Sequence, residues 1–147
     1  MLSGAAAVKA EKDYLRKRPL FVAFLHLKAM LKKENRLKNN EEFRLVYRGG
    51  KFAVSHSVVV YYRKTSDSSA LRAGFVVSKK IGGSHIRSRH KRLLREAFRQ
   101  VIPRVKTGYD LVFVARRAIV GKDFSSVVTT LENLLCKARL LTGRRVE

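Results

Sequence analysis

A layered α/β fold, a small sheet with helices packed on it, is predicted by three observations. From Leu31 onward, short β-branched segments interleave with amphipathic segments of helical period. One segment, residues 109–116, is apolar at nearly every position, as a central strand covered on both faces would be. Finally, 46% of the 147 residues are hydrophobic although 33 Lys+Arg face only 11 Asp+Glu, a formal charge of +22. That much apolar content excludes a disordered polycationic tail and describes one folded, strongly basic domain.

The elements follow in order. Asn39 or Asn40 can cap a helix running through Tyr47, because Glu41 and Glu42 complement its positive start and Phe43, Val46 and Tyr47 share one face. Gly49-Gly50 ends it. Residues 56–63 are β-branched and aromatic, residues 65–69 are a turn, and residues 72–78 are again strand-like, so the pair reads as a hairpin. Phe52-Ala-Val54 adds a further strand or lengthens the first. Gly82-Gly83 then loosens the chain, and Ser84 is a candidate N-cap. In the next helix Ile86, Leu93, Leu94, Ala97, Phe98 and Val101 fall within about 140° at 100° per residue. Pro103 lies beyond its end. Residues 109–116 form the buried strand. Asp123 caps a last helix whose Phe124, Val127, Val128, Leu131, Leu134, Leu135 and Ala138 make an apolar stripe ending near Gly143. The order is helix, two or three strands, helix, strand, helix.

Charge is the functional signal. Between Arg72 and Lys106 stand eleven Lys or Arg and one acid, Glu96. On the second helix, Arg89, Lys91, Arg92, Arg95 and Arg99 occupy the arc opposite the apolar one, with Arg87 at its margin. A solvated face ordinarily mixes signs; here the balancing acids are missing, which marks a surface for a polyanion, RNA or DNA. Lys79-Lys80 and Arg116-Arg117, at strand ends, are weak signals individually. Phe43, Tyr47 and Tyr61 suit the core by default, but the two phenols favour contact with water and leave room for stacking on unpaired bases.

Other chemistry is poorly supported. No pair of acids sits in a Mg²⁺-holding motif for phosphodiester cleavage, and no phosphate-cradling glycine loop, nucleophile elbow or Cys–His signature is present. His85 and His90 lack partners at ligand spacing, so neither a catalytic nor a metal residue is assigned. The single cysteine, Cys136, reads as packing in a reduced, cytoplasmic protein. No apolar run approaches the ~20 residues of a membrane span. Residues 1–30 are expected to form a flexible extension, or to follow an upstream start with Met30 as the alternative. Residues 31–143 are expected to form the nucleic-acid-binding domain, and 144–147 a tail.

From Leu31-Lys-Lys-Glu-Asn-Arg-Leu-Lys through Glu41-Glu-Phe-Arg-Leu-Val-Tyr47, Gly74-Phe-Val-Val-Ser-Lys-Lys-Ile-Gly82 and Arg87-Ser-Arg-His-Lys-Arg-Leu-Leu-Arg-Glu-Ala-Phe98 to the last helix, the chain resembles the protein subunit of bacterial ribonuclease P. The Lys-Lys-Ile-Gly block followed by the Arg-rich helix is the specific part. The resemblance implies an α/β sandwich of three helices on a four-stranded mixed sheet, in the order α-β-β-β-α-β-α. It also implies a left-handed βαβ crossover of the ribosomal S5 domain 2-like kind, against the usual right-handed rule. In that family a catalytic RNA using Mg²⁺ removes the 5′ leader of precursor tRNA, while the basic protein binds both RNAs without an obligate protein partner. Carried over by position, Lys79, Lys80, Arg87, Ser88, Arg89, Lys91, Arg92 and Arg95 are expected to contact the RNA subunit. Asn35, Arg36, Phe43, Tyr47 and Tyr61 are expected to line a cleft for the leader. Ser88 departs from the family's Arg-Asn-Arg motif and lacks the amide's paired donor and acceptor. Gly83-Ser84-His85 departs from the family's Asn-Ala-Val. The alternative is a ribosomal or other structural RNA-binding protein without nuclease function; a self-sufficient nuclease is a more distant rival.

Overall fold

The computed structural model describes residues 35–142. The expected N-terminal extension and the short tail lie outside the described residues. Three α-helices, α1 (Asn40–Gly49), α2 (Ser84–Val101) and α3 (Phe124–Lys137), accompany four strands: β1 (Lys51–Val54), β2 (Val58–Lys64), β3 (Leu71–Val76) and β4 (Tyr109–Ala115). The sheet order is β1-β2-β4-β3; β3 and β4 are parallel, and the other pairs antiparallel. Phe52-Ala-Val54 thus belongs to a strand of its own.

The last strand in sequence is therefore central, as its composition required. Leu111, Phe113 and Ala115 point into the large core shared with α2 and α3, whereas Val112 belongs to a smaller cluster on the α1 side. The helices accordingly form a layer on each face of the sheet. On the α2/α3 side, Phe75, Phe98 and Phe113 pack with ring centroids 5.1–5.9 Å apart, offset and tilted contacts that aromatic quadrupoles favour.

The expected β2–β3 hairpin is not formed, because β4 lies between the two strands. The loop joining them is wide enough to admit the start of β4. Thr65 N–H donates to the carbonyl of Gly108 (2.8 Å), and Gly108 N–H donates to that of Ala70 (2.5 Å). Gly108 takes φ +90 to do this, a conformation costly to a side-chain-bearing residue. A hairpin would have left the doubly apolar β4 as an edge strand, with one row of backbone groups unpaired.

Helix ends show what local chemistry decided. Asn39, not Asn40, caps α1: its Oδ1 accepts from Glu42 N–H (2.9 Å), and Glu42 reaches back to the N–H of Asn39 (3.4 Å) and of Lys38 (2.6 Å). This is a capping box. Asp123 caps α3 through Ser126 N–H (2.8 Å). Ser84 is not a cap; Gly83 precedes α2 without any side-chain cap. Nor does α3 continue to Gly143. It stops at Lys137, Arg139 turns left-handed (φ 59), and Leu140 N–H donates to the carbonyl of Leu135 (2.9 Å) while Arg139 N–H donates to that of Cys136 (3.0 Å). That is a Schellman closure, with the buried Leu140 as its apolar clasp.

Candidate nucleic-acid interface

Helix α2 is held by its inner side. Leu94, Ala97, Phe98 and Val101 are buried, joined by His90, whose Nδ1–H donates to the carbonyl of Ile86 (2.8 Å). Ile86 itself, expected in the core, is 42% exposed; it lies over Gly82, where no Cβ intervenes. Leu93 is only half-buried against the core.

The outer side carries the cations. Arg89, Lys91, Arg92, Ser88, Lys79 and Lys80 are exposed; Arg87 and Arg95 are half-buried, as stems lying along the helix would make them. Among the described residues the only ion pair formed from this helix joins Arg99 to Glu96. None of Arg87, Arg89, Lys91, Arg92 or Arg95 pairs with a carboxylate of the described residues. The Arg87 Nε is moreover buried without a hydrogen-bond partner. Among the described residues these five charges therefore have no carboxylate partner.

The expected cleft lies on the other face. Directly paired residues share a face, so Phe52, Tyr61, Val112 and Gly74 form one row across the sheet, and Arg63, Asp110 and Arg72 the next. Helix α1 lies over these rows. Its Phe43 ring occupies the space above Gly74, where an added Cβ would come within 2.5 Å of it. Val46 is fully buried, and Tyr47 meets Tyr61 edge-on with centroids 4.9 Å apart. Tyr47 remains 40% exposed. Partial burial, then the neighbouring Tyr61, holds the Tyr47 phenol above its ordinary value, so it stays a protonated donor.

Phe52 went unassigned by sequence reasoning. It is 63% exposed, pairs with Tyr61 across the β1–β2 ladder, and its ring lies 5.9 Å from that of Tyr61. Tyr47, Tyr61 and Phe52 make one accessible aromatic patch. A period-two alignment of the two strands would have found it. Phe43, by contrast, serves mainly as packing, between Gly74 and the small cluster of Leu37, Val46 and Val112.

The row beside the aromatics is electrostatically closed. Arg72 donates twice to Asp110 (2.9 and 2.8 Å) and once to Glu42 (3.0 Å). The Asp110 side chain is 2% exposed, so the bidentate pair is what makes that burial tolerable. Hydrogen bonds from the backbone at Lys38 and Asn39, with Arg72 assisting, hold the Glu42 carboxyl below its ordinary value against the opposing effect of burial. Asn35 lines a pocket with Arg63 and Arg72, and exposed Arg36 joins the sheet edge through a bridge to Ala73. Both therefore lie toward the Arg63–Asp110–Arg72 row, beside the aromatic one.

Two further facts bound the chemistry. No group of three or more His, Cys, Asp or Glu among the described residues could hold a metal ion, and the cleft's own carboxylates, Glu42 and Asp110, are engaged by Arg72. No helix among the described residues is long and apolar enough to cross a membrane.

Comparison with known proteins agrees with this geometry. A family model described as Ribonuclease P matches residues 31–139. The ribonuclease P protein component of Caldanaerobacter subterraneus subsp. tengcongensis is 43% identical over 111 residues, covering 76% of this chain and 95% of that protein. That of Clostridium acetobutylicum is 43% identical over 110 residues, covering 74% and 92%. Among solved structures, the Staphylococcus aureus RNase P protein superposes with a TM-score of 0.68 at 27% identity, covering 75% of this chain and 100% of that one. The Thermotoga maritima RNase P protein gives 0.63 at 32% identity, covering 69% and 96%. By the family model over residues 31–139, the identity to these relatives and the shared sandwich, the chain belongs to the family of ribonuclease P protein components, RNA-binding proteins of a tRNA-processing ribonucleoprotein.

Proposed function

We propose that the protein binds the catalytic RNA of ribonuclease P along the outer side of α2 and the 5′ leader of precursor tRNA in the cleft beneath α1. The observation that carries this reading is the ridge of Arg87, Arg89, Lys91, Arg92 and Arg95, rigidly mounted and free of carboxylates among the described residues. Side chains so placed screen the repulsion between RNA phosphates. Lys79, Lys80 and Ser88 extend the ridge.

In the cleft, Tyr47, Tyr61 and Phe52 supply faces on which unpaired leader bases stack, while Asn35 and Arg36 contact the backbone at its border. The protein contributes binding and alignment, in the cytoplasm. Phosphodiester hydrolysis belongs to the RNA, with Mg²⁺ held by the RNA; a protein whose cleft carboxylates are committed to Arg72 has poor ligands to offer that ion.

Reconstitution tests this. Added to a bacterial catalytic RNA at Mg²⁺ concentrations too low for the RNA alone, the protein should restore leader removal. With about eight phosphates engaged, log affinity should fall with log salt at a slope near −6. Cleavage by pure protein plus Mg²⁺, or a salt slope near −1, would refute the division of labour.

A further inference from the structure

Several cations outside α2 and the cleft gather at one end of the sheet. β3 and β4 are parallel, so both finish at that end, where β1 also turns into β2. The chain leaves β3 toward Lys79 and Lys80, and β4 into Arg116 and Arg117; all four are exposed. Arg116 fastens the turn beside it: its backbone N–H donates to Ser57 O (2.8 Å), and Nη1 donates to Ser55 O (3.0 Å).

Between this turn and α3 opens a cavity of about 590 Å³, lined by Ser55, His56, Lys122, Thr130, Cys136 and Lys137 among others. Its walls offer hydroxyls, an imidazole and two ammonium groups, and no carboxylate. Other acids of the described residues lie elsewhere. Asp67 in the β2–β3 loop and Asp110 near the start of β4 mark the opposite end of the sheet, and Glu132 pairs with Arg104 (3.0 Å). Asp123 adjoins Lys122, but its carboxylate is committed to capping Ser126. The volume lies within the roughly 300–1,000 Å³ of small-ligand sites, and the chemistry is that of a phosphate-bearing base.

We propose that this end of the sheet is a second contact for the RNA subunit: one nucleotide sits between the β1–β2 turn and α3, with adjacent phosphates on Arg116, Arg117, Lys122 and Lys137. The RNA subunit is favoured over precursor tRNA because the cavity lies on the α2/α3 side of the sheet, away from the aromatic cleft. Lys79 and Lys80 connect it to the start of α2. The inference rests on the RNA subunit being the partner of α2.

The test is a triple variant, Arg117→Gln, Lys122→Gln and Lys137→Gln, measured for RNA-subunit binding across a salt series beside an Arg89→Ala, Arg92→Ala, Arg95→Ala control. Losing three phosphate contacts should flatten the log–log slope by about two and weaken binding on the order of a hundredfold at 0.1 M salt. An unchanged slope with a weakened α2 control overturns this second contact alone. If neither variant weakens binding, the assignment of α2 fails with it. Should the triple variant not fold, the otherwise unaltered protein carrying a tethered cleavage reagent on Cys136 gives the answer. One discrete set of cuts in the RNA subunit of the assembled enzyme supports the contact. Cuts only in precursor tRNA, or none, overturn it.

Discussion

Arg72 and Arg92 are the same residue in opposite circumstances. Arg72 sits on the sheet with three hydrogen bonds to the carboxylates of Asp110 and Glu42, whereas Arg92 stands on α2 with no carboxylate of the described residues in reach. The first is spent on holding the α1 layer to the sheet. The second is available to a ligand. Among so many cations, function is legible from the missing partners and not from the number of charges.

The contrast can be broken experimentally. The largest effect is expected from replacing Arg89, Arg92 and Arg95 together with Ala: affinity for the RNA subunit should drop on the order of a hundredfold at 0.1 M salt. Thermal melting should scarcely move, because these side chains hold nothing within the described fold. A large fall in melting temperature would show that the ridge is structural. The reverse pattern is expected of Asp110→Ala. It should cost about 2–3 kcal/mol in urea unfolding, discounted for the partial exposure of Arg72, with little direct loss of RNA-subunit affinity among the molecules that remain folded.

Smaller changes sharpen the cleft. Gly74→Ala places a methyl group against the Phe43 ring and should destabilise by about 1–3 kcal/mol; because it tilts α1, leader-bearing substrate should suffer more than leaderless tRNA. Tyr47→Ala or Tyr61→Ala should remove about 1–3 kcal/mol of binding to leader-bearing substrate, the scale of one base stack. Equal losses for leaderless tRNA would count against the cleft. Phe52→Ala should behave in the same way, from a ring that is 63% exposed among the described residues.

The weakest effect is a pH dependence. The Glu42 carboxyl is held below its ordinary value by backbone hydrogen bonds first, with Arg72 assisting. The stability it contributes is therefore complete above about pH 4.3 and is lost as pH falls through its lowered folded value. Unfolding free energies measured from pH 6 down to pH 3 should decline more gently in Glu42→Gln than in the unaltered protein.

Much of this was readable in the residues. The apolar run that became β4 announced a central strand, Asp123 announced its cap, Asn39-Asn40 announced a cap at one of two positions, and the spacing of Leu94, Ala97, Phe98 and Val101 announced which side of α2 is buried. The strand partnership was not readable. β2 and β3 look like a hairpin because each has the right local composition, and only the competition from a third strand, forty residues later, decides otherwise. Ile86 failed for a related reason: its helical phase is correct, but the first turn of α2 overhangs the core. In the candidate site, the cationic arc was plain from phase and charge, whereas Phe52 required the β1–β2 register, a non-local fact. Arg72 looked like one more RNA-binding charge until its two acids, thirty and thirty-eight residues away, were placed beside it.

The central position of β4 has a consequence for how the protein is made. On the ribosome, β2 and β3 emerge long before the segment that will separate them, and they must stay apart until it arrives. A nascent chain stopped before residue 109 can pair only β1 with β2, although the segment of the Arg-rich helix has already been made. Late closure of this kind involves pairing across long loops and slows folding, so capture of the helix by its RNA before the sheet is complete would act on the speed of maturation as well as on the finished complex.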